Sequence, residues 1–87
     1  MVAQRLTETF KQPAVVENRA GAAGGIATEM AVRAAPDGYT LLLSSAGPIV
    51  INPALYPRLG YDPQRDLAPI ALIASSPLVL VLHPSVP

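Results

Sequence analysis

Val15-Val16-Glu17-Asn18-Arg19-Ala20-Gly21-Ala22-Ala23-Gly24-Gly25-Ile26 is the stretch on which the fold turns. A short apolar run meets a polar corner, then a glycine-rich loop, then the start of a helix. That is the order in which α/β proteins present backbone N–H groups to an anion. Downstream, Pro36-Asp37-Gly38 supplies a tight turn, read as type I from Ala35 to Gly38, and Tyr39-Thr40-Leu41-Leu42-Leu43 a second apolar run. Residues 14–17 and 40–44 are therefore predicted as strands joined by a helix over about residues 26–35, in which Ile26 and Met30 stack one turn apart and alanines allow close approach. A right-handed crossover leaves such strands parallel. The corners at residues 18–25 and 44–47 are then expected to meet at the carboxyl edge of one sheet, where open α/β folds bind ligands.

Toward the N-terminus, Val2, Leu6 and Phe10 recur every fourth residue and predict a helix over residues 1–11, stopped by Gln12-Pro13. Toward the C-terminus, Asn52-Pro53-Ala54-Leu55-Tyr56-Pro57 reads as a short helical turn, and Asp62 as the cap of a turn over residues 63–66. Ile70-Ala71-Leu72-Ile73 and Leu78-Val79-Leu80-Val81-Leu82 then read as two buried strands on either side of Ser75-Ser76-Pro77.

Eighty-seven residues allow at most one domain. The chain is 51% hydrophobic and only 14% charged, against about 25% charged residues in ordinary soluble domains. That is more apolar surface than a small fold can hide, so the chain is expected to be part of a larger protein. The helix that starts at once, with no capping residue before it, points the same way. Six basic and six acidic residues are scattered singly along the chain, which argues against nucleic acid as a partner. The absence of cysteine removes thiolate catalysis and cysteine-based metal sites, and a lone His83 cannot build a metal site. The uncharged runs at residues 39–57 and 67–87 are too often broken by Pro, Gly, Ser or Asn to span a membrane as a helix. The first residues lack the pattern of a signal peptide.

Gly21-Ala22-Ala23-Gly24-Gly25 departs from the dinucleotide fingerprint, and no phosphate-loop lysine follows it. Two readings of the loop stand side by side: an anion corner at a helix N-terminus, and a packing device that lets the chain turn sharply. Ser44 and Ser45 sit in no nucleophile elbow, and the carboxylates fall in strand, exposed-helix and turn contexts. No catalytic residue is assigned, and no cofactor or metal is expected. Acyl transfer through Ser45 is the distant enzymatic alternative.

The ordered set V-V-E-N-R-A-G-A-A-G-G-I-A, A-A-P-D-G-Y-T-L-L-L, I-N-P-A-L-Y and Y-D-P-Q-R-D-L-A-P-I resembles the extracytoplasmic substrate-binding proteins of tripartite tricarboxylate transporters, the Bug-type receptors, across essentially all of the chain. The resemblance implies a type II periplasmic-binding-protein fold with two α/β lobes. It implies a non-enzymatic receptor in the periplasm that closes on a small organic acid or related metabolite and delivers it to membrane permease subunits. On this comparison residues 1–87 form part of one lobe, a parallel βαβ core plus C-terminal apolar strands, without the family's first strand and second lobe. Such a chain is expected to bind its ligand very weakly or not at all by itself. The resemblance places ligand contacts at Gly21, Gly24 and Gly25, with N–H donation from Gly25 and Ile26. It also places them at Ser44 and Ser45, with a hydroxyl donor at Ser45, and at the backbone of Ala46 and Gly47. The competing expectation is a structural piece with no ligand of its own, which forms homo-oligomers through exposed strands.

Overall fold

Val2, Leu6 and Phe10 fall on one stripe of helix α1, Val2–Phe10, in the computed structural model, which describes residues 1–87. The helix ends where Lys11 takes a left-handed conformation (φ 54°), and Pro13 two residues later cannot resume it. Thr7 fixes the exit: its hydroxyl donates to the Ala3 carbonyl and accepts from the Ala14 N–H, both at 2.9 Å. No residue of α1 is buried, and Phe10 stays 68% exposed.

The glycine loop leads through a 3-10 turn, Ala22–Gly24, into α2, Gly25–Arg33. Extended-region φ/ψ at Ala34, followed by Pro36, ends α2. The turn that follows is tighter than type I. Asp37 N–H donates to the Ala35 carbonyl at 2.8 Å, the Asp37 carboxylate accepts from Tyr39 N–H at 3.0 Å, and Gly38 takes the left-handed φ of 82°. A π-helical turn, Gly47–Ile51, runs directly into α3, Asn52–Leu55. The last helix, α4, is Pro63–Asp66, with Asp62 accepting from the N–H groups of Gln64 and Arg65, the cap that an Asp-Pro start favours.

The architecture is helical and contains no strand. This overturns the expected α/β fold with its parallel βαβ core and C-terminal apolar strands. Residues 14–17, 40–44, 70–73 and 78–82 carry no regular secondary structure. Of 26 backbone hydrogen bonds, 19 lie within helices and the other seven close turns, loops and caps, so no ladder joins any two of these runs. The physical reason is that an apolar run of high β propensity reports only what a segment tolerates. A strand also needs a neighbour aligned along its edge, and a parallel pair needs cover on both faces. Within these 87 residues no cover is provided: Val15 is 89% exposed, Leu72 88% and Leu78 fully exposed.

The packed part of the chain is small and central. Thr28 is fully buried, and Gly25, Pro48, Asn52 and Tyr61 are the other buried residues. They join α2, the π-helical turn, α3 and the approach to α4. The radius of gyration of 16.5 Å exceeds the roughly 12 Å of a compact domain of this length. The accessible surface of 7933 Å² likewise exceeds the approximately 4,900 Å² of a compact monomer of this mass. The apolar excess seen in the composition therefore lies on the outside.

Candidate functional site

Four successive residues with positive φ build the glycine corner: Gly21 (128°), Ala22 (46°), Ala23 (51°) and Gly24 (85°). Left-handed alanines each cost about 1–2 kcal/mol, so the surrounding contacts must hold them. Two 3-10 bonds do so, from Gly24 N–H to the Gly21 carbonyl at 3.0 Å and from Gly25 N–H to the Ala22 carbonyl. Packing supplies the rest. A Cβ on Gly24 would stand 2.6 Å from Pro48 Cγ, and one on Gly47 would stand 3.6 Å from the Ala23 carbonyl oxygen. The corners at residues 21–25 and 46–48 thus touch, with Gly24 fitted against Pro48. They meet through a helix start and a π-helical turn, since there is no sheet edge.

The residues singled out from the sequence divide into two groups. Gly25 is buried, and Gly24 and Gly47 are half-buried within this contact, whereas Gly21, Ile26, Ser44, Ser45 and Ala46 are exposed. Gly21 also has a reason to be glycine: at φ 128° its Cβ would lie 2.6 Å from Ile26 Cδ1. The N–H of Gly25 is engaged with Ala22, and no side chain caps α2. The N-terminal end of α2 therefore offers its dipole without a side-chain acceptor. His83 makes no hydrogen bond to a serine of the second corner; its Nδ1 bonds Ser85 Oγ at 2.7 Å.

Three residues that the sequence did not mark as functional complete the neighbourhood. Tyr61 donates its hydroxyl to the Pro48 carbonyl at 2.8 Å. Asn52 is 3% exposed and lies against α2, its Nδ2 3.8 Å from the place of a Gly25 Cβ. Arg58 borders, with Gly25, Ile26 and Asn52, a cleft of about 320 Å³, near the lower end of the approximately 300–1,000 Å³ range of small-molecule sites. Nothing local marks Asn52, since Asn before Pro is the ordinary composition of a turn. A larger cleft of about 590 Å³ lies beyond Tyr61, between the π-helical turn, α3 and the start of α4.

Half of the charged side chains are in ion pairs near the surface: Arg19 with Glu17, Arg33 with Glu29, and Arg65 with Asp66. Hydrogen bonding from Arg65, and then from the Asp62 backbone, holds the Asp66 carboxyl below its ordinary range; the same pair raises Arg65. No three His, Cys, Asp or Glu side chains gather as a metal site, and no helix is long and apolar enough to cross a membrane.

Comparison with known proteins agrees with the motif order. The tripartite tricarboxylate transporter family receptor matches residues 1–87, and the chain belongs to this family. It is 44% identical over 85 residues to Protein BugT of Bordetella pertussis, covering 97% of this chain and 26% of that protein. It is 38% identical over 82 residues to the UPF0065 protein in the tcbD-tcbE intergenic region of Pseudomonas sp. strain P51, covering 94% of this chain and 24% of that one. A similar UPF0065 protein, from the TAR-I ttuE-ttuC' intergenic region of Agrobacterium vitis, is 40% identical over 81 residues, covering 93% and 23%. The chain thus spans about a quarter of the length of these curated relatives. No solved structure matches it.

Proposed function

We propose that this chain contributes one wall of the ligand site of a solute receptor of the tripartite tricarboxylate type. The ligand is a small organic acid or related metabolite. The observation that carries the reading is the N-terminus of α2, which starts without a side-chain cap where the glycine corner packs on Gly47-Pro48. A helix start of this kind attracts a carboxylate through backbone N–H groups and the helix dipole, an interaction of about 0.3–1 kcal/mol when exposed. In this reading Ile26 N–H is the principal donor, and Gly25 N–H joins it if its bond to Ala22 opens. Gly21 and Gly24 hold the loop open to the ligand. Ser44 and Ser45 offer hydroxyl donors, and Ala46 and Gly47 offer backbone contacts. The receptor works outside the cytoplasmic membrane, passes its ligand to permease subunits, and catalyses no reaction.

Amide chemical shifts during titration with citrate test this proposal. Saturable movement of Ile26 together with Ser45, Ala46 and Gly47 supports it. If citrate leaves residues 21–26 and 44–47 unmoved at millimolar concentration, the site is elsewhere.

A second reading, self-association, is favoured by one observation: the uncharged run 67–82 contains Leu78, Val79, Leu80 and Val81, all at least 77% exposed. Unpaired apolar segments of high β propensity pair between copies. Sedimentation distinguishes the two cases, because a monomer at high micromolar concentration removes this reading.

A further inference from the structure

Asn52 is buried in the only substantial packing of the chain, yet its carboxamide takes no part in any side-chain hydrogen bond. No fully enclosed polar side-chain atom lacks a partner, so the amide keeps some solvent contact, and Asn52 is among the residues that line the cleft. A buried carboxamide left in this state is a hydrogen-bonding group waiting for a partner.

Arg58 borders the same cleft. Of the five arginines, Arg19, Arg33 and Arg65 are in ion pairs, and Arg58 is in none. Glu29 also lines the cleft, but its carboxylate is engaged by Arg33 and lies close against Gly60. The uncompensated charge facing this space is therefore the Arg58 guanidinium. The first turn of α2 contributes Gly25 and Ile26 to the lining of the same cleft. A guanidinium fork, an unpartnered carboxamide and a helix start then surround one small volume.

We infer that Arg58 and Asn52 form the side-chain half of a carboxylate site against the first turn of α2. The inference rests on the proposed reading of that turn as the receiver of a ligand carboxylate, and adds the residues that select it. The guanidinium matches a planar carboxylate with two parallel N–H donors, and Asn52 Nδ2 donates from the buried side. The cleft volume of about 320 Å³ suits a small molecule.

The test is a titration of the ¹⁵N-labelled chain with succinate, following the Ile26 amide, the Asn52 side-chain NH₂ and Arg58 Nε. The three signals are expected to move on one saturable curve. Arg58→Ala should weaken binding at least tenfold, Arg58→Lys should restore only part of it, and Asn52→Asp should abolish it by placing a like charge beside the ligand. Arg5→Ala, on α1 and away from the cleft, should leave affinity unchanged. Retained Thr28 and Tyr61 signals show that each variant keeps its packing. If Arg58→Ala binds as the parent does while Ile26 still moves, the inference fails and the reading of the α2 turn stands. If Asn52 and Arg58 move but residues 21–26 and 44–47 do not, the reading of the α2 turn fails, and the inference, which places the carboxylate against that turn, fails with it. No movement at any of them overturns both, and equal binding of inorganic phosphate overturns the carboxylate assignment.

Discussion

The Tyr61 hydroxyl donates to the Pro48 carbonyl at 2.8 Å, linking two positions thirteen residues apart in the most buried part of the chain. Pro48 in turn fills the space beside Gly24. The placement of the glycine corner therefore depends on a phenol that lies outside it. Tyr61→Phe should keep the ring packed and leave the Pro48 carbonyl unpaired, at a cost of about 1–3 kcal/mol. Amide exchange at Thr28 and Asn52 should accelerate accordingly, and unchanged exchange would show that the bond does not hold the corner.

Gly24 and Gly38 separate two reasons for being glycine. Both have positive φ, 85° and 82°, but a Cβ on Gly24 meets Pro48 Cγ at 2.6 Å whereas one on Gly38 meets nothing within 4 Å. Gly38→Ala should cost only the left-handed penalty, about 1–2 kcal/mol. Gly24→Ala carries the same penalty and must also displace Pro48. Its loss of protection at Thr28 and Tyr61 should exceed that of Gly38→Ala, as measured by hydrogen exchange on both variants.

The turn around α4 should weaken in acid. Asp66, whose carboxyl Arg65 holds below its ordinary value, also accepts from Asp62 N–H at 2.8 Å. A depressed folded pKa means that the stabilisation is complete above the unfolded value, near 3.9, and is lost as pH falls through the folded one. The raised Arg65 stays protonated throughout the working range, so no matching alkaline loss is expected. Protection of Asp62 and Asp66 N–H relative to intrinsic exchange should therefore be constant from neutral pH down to about pH 5 and decline below it. Asp62→Ala, which removes the acceptor of Gln64 and Arg65 N–H, should cost the turn roughly 1 kcal/mol at neutral pH.

Leu80 is 85% exposed in the middle of the uncharged C-terminal run. A lysine there is the kind of charge that keeps apolar edges apart. Leu80→Lys should raise the concentration at which the chain associates, with no effect on the Tyr61–Pro48 link. Sedimentation velocity on the two forms measures the first effect, and the Tyr61 signals report the second.

Local grammar was legible in the sequence because its causes lie within a few residues. The stripe of Val2, Leu6 and Phe10, the stop at Pro13, the helix after Gly24-Gly25 and the cap at Asp62 depend on i, i+4 spacing, fixed proline φ and a side-chain acceptor two or three residues away. Family membership was also legible, because it resides in the order and spacing of motifs. Sheet pairing was not. Val15 and Leu78–Leu82 have the composition of strands, but composition cannot supply the neighbouring edge that turns such a run into one.

The sequence by itself thus located α1 to α4 to within about two residues, showed that the chain carries more apolar surface than it can bury, and marked its family. Only the tertiary structure decided that Asn52 is buried against Gly25, that Tyr61 holds Pro48 beside Gly24, and that Arg58 shares a cleft with the start of α2. Burial and pairing are properties of residues distant in the chain brought together, and an Asn-Pro turn or a lone arginine has the same local signature whether it faces water or a ligand.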